Sequence, residues 1–76
     1  MDIGNETGRF IVTQRANGRY AVHDLLNGRD LRFSFSNPPL YGTATQPADE
    51  WGNYYAARGF CQRMAARSEG TARWGR

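Results

Sequence analysis

A chain of 76 residues and 8.6 kDa has room for one domain. A domain of that size buries only roughly 60% of the surface that its unfolded chain exposes, so its core rests on few large side chains. Its ten positive charges are all arginine, set against seven acids and one His, for a net charge of +3 and a pI near 9.6. The single Cys61 excludes an internal disulfide and a cysteine-based metal cluster. No apolar run is long enough to span a bilayer, and the first nine residues lack the apolar centre of a secretion signal. The expected setting is therefore a reducing cytoplasm, with no membrane partner. Arginine without lysine is the composition expected of a GC-rich coding sequence, and it also supplies the cation best suited to bidentate contact with phosphates and carboxylates.

Residues 1–9 are polar and Gly-containing and are expected to form a flexible lead-in to a single domain over residues 10–68. Phe10 to Arg15 and Arg19 to Asp24 are strand-like runs separated by Ala16-Asn17-Gly18, a strong hairpin signal. A two-residue Asn17-Gly18 turn would mix the apolar faces. A three-residue loop with Gly18 in the left-handed region instead sets Val12 opposite Val22 and Gln14 opposite Tyr20. After a second turn at Leu25 to Gly28, Leu31 to Ser36 alternates, with Leu31, Phe33 and Phe35 on one face and Arg32, Ser34 and Ser36 on the other. Three strands in meander order follow, with Phe10, Val12, Tyr20, Val22, Leu31, Phe33 and Phe35 turned to the core. The reverse face carries Ile11, Thr13, Arg15, Arg19, Ala21, His23, Arg32 and Ser34, and no acid is expected on it.

Asn37-Pro38-Pro39 breaks the ladder. Thr45-Gln46-Pro47-Ala48-Asp49-Glu50 has the form of a helix start, with a cap at Thr45 or Gln46, proline in the first turn and two acids at the positive end of the dipole. The helix is expected to run to about Arg67. At ~100° per residue, Tyr54, Ala57, Phe60, Cys61, Met64 and Ala65 share one arc, which is the face that covers the sheet. The fold class is thus α+β, a three-stranded antiparallel meander packed on one C-terminal helix. Residues 69–76, with Trp74, form a tail expected to be mobile.

Two surfaces stand out. Arg15, Arg19 and Arg32, with His23 among them and Arg29 at the edge, make a basic stripe that could meet a partner or track phosphates. On the outer side of the helix, Gly52, Ala56, Gly59 and Arg63 follow one narrow line flanked by Tyr55. Glycine in an exposed helix costs about 1 kcal/mol relative to alanine, so this line reads as a surface for close approach by a partner or a second copy. Catalysis is not expected: Cys61 falls on the core arc and His23 on the far side of the sheet, and Asp49 and Glu50 suit a helix dipole. No cofactor is expected, and one His with one Cys offers no metal-ligand spacing.

The run Arg9 to Asp24 with its Asn-Gly turn, the Phe-rich third strand and the passage from Thr45 to Trp51 into an Ala-rich helix resemble the small β-β-β-α domains of phages and mobile elements. Their layout is similar to the arm-binding domain of phage integrases and the plant ethylene-response DNA-binding domain. That resemblance implies nucleic-acid binding through the arginines of the sheet. In size and build the chain also looks like anti-CRISPR proteins, which implies a non-enzymatic inhibitor that occludes a site on a host nucleoprotein complex. This protein-directed reading is the expected function. Its alternatives are a nucleic-acid-binding module and an oligomerising structural module, such as a homodimer.

Overall fold

The computed structural model describes residues 2–4, 9–36 and 38–69. Its elements are β1 (Asp2–Gly4), β2 (Phe10–Gln14), β3 (Tyr20–Asp24), β4 (Arg29–Asp30) and α1 (Tyr54–Glu69). The strands lie in chain order in one antiparallel sheet, and α1 packs on β2 and β3. The fold is α+β, an antiparallel meander under a C-terminal helix, as the residue pattern implies.

The central hairpin has the expected register, with Val12 opposite Val22 and Gln14 opposite Tyr20. Arg15 N–H donates to Arg19 O at 2.8 Å and closes a three-residue loop in which Gly18 has φ 86°. Only glycine adopts that left-handed backbone without cost, and its bulge supplies the twist that two strands need. Phe10, Val12 and Val22 are thereby buried on one face, against Ala57, Phe60, Cys61, Met64 and Ala65 of α1. Those five helix residues belong to the apolar arc that the sequence marks out.

The sheet differs from expectation at both edges. Residues 2–4, assigned by sequence to a flexible lead-in, form β1 and pair with β2. The strand expected over Leu31 to Ser36 is absent; β4 is two residues long and ends before Leu31. Continued in the register of His23 with Asp30 and Asp24 with Arg29, the ladder would set Phe33 beside Tyr20. Trp51 takes that place. Tyr20 N–H donates to Trp51 O at 2.8 Å, and Trp51 N–H donates to Tyr20 O at 2.7 Å. Leu31 is buried as expected, but its chain turns outward to bridge Tyr41, and Phe33 is left 57% exposed.

The helix begins later than Thr45 because residues 43–46 close a turn of their own, in which Gln46 N–H donates to Thr43 Oγ1 at 2.9 Å. Asn53 is the actual cap, its Oδ1 accepting from Tyr55 N–H at 2.7 Å and from Ala56 N–H at 3.3 Å. Asp49 and Glu50 therefore lie outside the helix, Asp49 turned to the Phe33 backbone and Glu50 to Arg15 and Arg19, instead of to the dipole. Within this loop Gly42 lies tight against Ala48: a Cβ there would sit 2.7 Å from Ala48 Cα.

One charge is buried in the core-facing layer. Asp24 is fully buried at the end of β3, and its carboxylate gathers three chain segments. Arg9 donates to both oxygens at 3.0 Å, Tyr41 Oη–H at 2.7 Å, Asn27 Nδ2 at 3.1 Å and Leu26 N–H at 3.0 Å. Burial pushes this carboxyl's pKa up, but the hydrogen bonds from Arg9, Tyr41 and Asn27 outweigh it and hold the group down at about 2. Burial and the adjoining Asp24 carboxylate together raise the Tyr41 phenol. Through Asp24 the β3–β4 turn, the entry to β2 and the returning segment at Tyr41 become one unit.

Candidate functional site

The reverse face of the sheet is not the open basic stripe that the strands alone imply. Arg15 pairs with Asp30, reaching across β3, and its Nε lies 3.0 Å from Glu50. Arg19 pairs with Glu50 at 3.2 Å, and His23 Nδ1 lies 2.6 Å from Asp30 Oδ1. Two acids thus occupy a face expected to hold none, and they match the charges of Arg15 and Arg19. The reason is placement: Asp30 arrives with β4, and Glu50 is brought in by the Tyr20–Trp51 pairing. Ile11 and Ala21, expected at the surface of this face, are 4% and 0% exposed. Arg29 and Arg32 do not join the group. The Arg29 guanidinium stands 5.9 Å from the Tyr41 ring centre, and Arg32 donates to Gln46 Oε1 at 2.7 Å.

The outer side of α1 has the opposite fate. Gly52 precedes the helix and lies beside the Arg19 side chain, so it leaves the expected line. Tyr55, Ala56, Gly59 and Arg63 remain on it and form one wall of a groove of about 310 Å³. The facing wall comes from the segment that abandoned the sheet, Phe33 and Phe35, with Trp51 at the end. Beneath them lies Phe60, its ring centre 5.0 Å from Trp51, 5.3 Å from Phe33 and 5.4 Å from Phe35. Asp49 fixes this wall by accepting a hydrogen bond from Phe33 N–H.

Phe35 and Arg63 also line a second hollow of about 340 Å³ with Ala66 and Arg67, so the two hollows adjoin at these side chains and together make a trough along α1. The Arg63 guanidinium lies 5.7 Å from the Phe35 ring centre, within cation–π range. Tyr55 is 73% exposed at the opposite end. At Gly59 the helix wall carries no side chain, and a Cβ there would meet nothing within 4 Å. The trough thus joins the rings of Phe33, Phe35, Trp51 and Phe60, a stretch of helix carrying no side chain at Gly59, and two arginines at one end.

Of the two rings that the alternation of the third strand turns to the core, Phe35 packs against it, whereas Phe33 is left exposed. That alternation gives no sign that Trp51 takes the place of Phe33 beside Tyr20. The actual cap could have been found: Gly52-Asn53 directly precedes the Tyr54-Tyr55-Ala56-Ala57 run. Among the described residues, no group of three or more His, Cys, Asp or Glu is placed to hold a metal ion, and no helix is long and apolar enough to cross a membrane. Trp74 lies outside the described residues. No family model, no curated protein and no solved structure matches this chain.

Proposed function

We propose that this chain is a non-enzymatic binding protein whose docking surface is the trough between α1 and the Phe33–Phe35 segment. The observation that carries this reading is the exposure of Phe33 and Tyr55 around a helix glycine whose Cβ position meets nothing within 4 Å among the described residues. Burying two such rings contributes on the order of 1.5–3 kcal/mol each when a partner covers them. The non-enzymatic part is supported by the placement of Cys61, buried beneath the sheet, and of His23, engaged with Asp30 on the other face. The anti-CRISPR-like build implies an inhibitor that covers part of a host nucleoprotein complex. An aromatic trough supports such a role because it can occupy a partner without chemistry.

Duplex-nucleic-acid binding by the sheet arginines is the weaker reading, since Arg15 and Arg19 already spend their charge on Asp30 and Glu50. The test is affinity capture from bacterial lysate with nuclease treatment. Gly59→Leu is expected to lose the captured protein, and the double change Arg15→Ala with Arg19→Ala is expected to keep it. Capture that nuclease abolishes, or that only the arginine changes abolish, overturns the proposal.

A further inference from the structure

We infer that the trough takes an acidic, apolar peptide segment of a partner protein, with a large apolar side chain seated over Gly59 and carboxylates meeting Arg63 and Arg67. This rests on the docking reading above and adds the chemistry of the partner.

The arginines of the sheet and those of the helix differ in how their charge is met. Arg9 is matched by Asp24, and Arg15 and Arg19 by Asp30 and Glu50. Asp49 turns to the Phe33 backbone. Among the described side chains none of these four acids is paired with Arg63 or Arg67, which both line the hollow beside Phe35, whereas Arg29 and Arg32 lie away from the trough, against Tyr41 and Gln46. Arg63 and Arg67 lie one helix turn apart on the wall that begins at Gly59. A rise of ~1.5 Å per residue puts them about 6 Å and about 12 Å along the axis from that glycine.

A ligand that fits must repeat its side chains near that interval. An extended segment does so at every second residue, about 6.6 Å apart, and a helix at every fourth, about 6 Å apart. The first side chain meets Phe33, Trp51 and Phe60 rings and must be apolar. The next two meet guanidinium groups, and carboxylates pair with these in the bidentate geometry that arginine favours. Arg63 lies within cation–π range of Phe35, and its guanidinium carries N–H donors for such a group.

The test uses the full chain, immobilised, and a displayed library of random twelve-residue peptides, counter-selected against Gly59→Leu. Leucine is a better helix former than glycine and a Cβ at this position meets nothing within 4 Å, so this variant is expected to keep the fold while its side chain obstructs the trough. Selected peptides are expected to carry an aromatic or large aliphatic residue followed by Asp or Glu. Their affinity is expected to fall about tenfold in Arg63→Glu with Arg67→Glu, which is about 1.4 kcal/mol, and to return when the peptide acids are replaced by Lys. Peptides selected without acids, or unaffected by the charge reversal, overturn the inference and leave the docking reading standing. Failure to select any peptide that Gly59→Leu releases overturns both. A twelve-nucleotide oligothymidine that binds the chain and is released by Gly59→Leu would make single-stranded nucleic acid the occupant and overturn the inference as well.

Discussion

Replacing Asp24 by Asn tests how much of this small fold hangs on one buried carboxylate. In the native protein Oδ2 accepts from Arg9, Tyr41 and Asn27. An amide nitrogen there would present donors to donors and leave the Arg9 guanidinium without its charge partner. Removing one member of a buried pair costs about 3–5 kcal/mol. A chain of this length has a total stability of roughly 4–11 kcal/mol, so the variant is expected to be partly unfolded at 37 °C. The pH dependence supplies a second handle. The folded carboxyl sits at about 2 against an ordinary value of 3.8. At ~1.36 kcal/mol per pH unit this amounts to about 2 kcal/mol of stability. Because the folded value is depressed, that contribution is complete above pH 4 and is lost as pH falls through about 2. Urea unfolding followed by tryptophan fluorescence at pH 7, 4, 3 and 2 measures both effects. The gap between native protein and Asp24→Asn is expected to exceed 2 kcal/mol at pH 7 and to narrow by about 2 kcal/mol by pH 2. A gap below 1 kcal/mol at pH 7, or one that does not change with pH, would refute this account of Asp24.

Two glycines with ordinary backbone, Gly59 and Gly42, are expected to respond in opposite directions. Gly59→Ala adds a methyl group in open space on a helix and is expected to stabilise by about 1 kcal/mol, read as a raised Tm. A lowered Tm would show that Gly59 serves the fold. Gly42→Ala forces a Cβ against the backbone of Ala48, and overpacking of that kind costs about 1–3 kcal/mol by urea titration. Asn53→Ala removes the helix cap and is expected to cost about 1 kcal/mol; an unchanged midpoint would place the helix start elsewhere. Asp30→Asn combined with Glu50→Gln releases Arg15, Arg19 and His23, so retention on heparin is expected to increase. Unchanged retention would mean that these pairs do not mask the sheet face.

Much of the hairpin and of the helix interior is decided by local chemistry. Asn17-Gly18 and the alternation of Phe10, Val12, Tyr20 and Val22 leave one register that gathers the apolar side chains. The 3.6-residue period likewise fixes which side of the helix meets the sheet. The third strand was not decidable in this way, because its alternation is the same whether Phe33 and Phe35 lie under the helix or beside it. That choice belongs to Trp51, whose two backbone bonds to Tyr20 close the sheet edge from a segment thirty-one residues further along the chain. The same pairing delivers Glu50 to the arginines and shifts the helix start to Asn53.

The basic excess visible in the composition therefore came to lie where the sequence alone could not put it. Along the chain Arg15 and Arg19 have no acid nearby; in space Asp30 and Glu50 meet them, and Arg63 and Arg67 are left beside the exposed rings. Period, turn chemistry and charge count are properties of short stretches, and the sequence determines them by itself. Which charges cancel, and which aromatic rings stay uncovered, depends on distant segments competing for one sheet edge. Only the tertiary structure decides that.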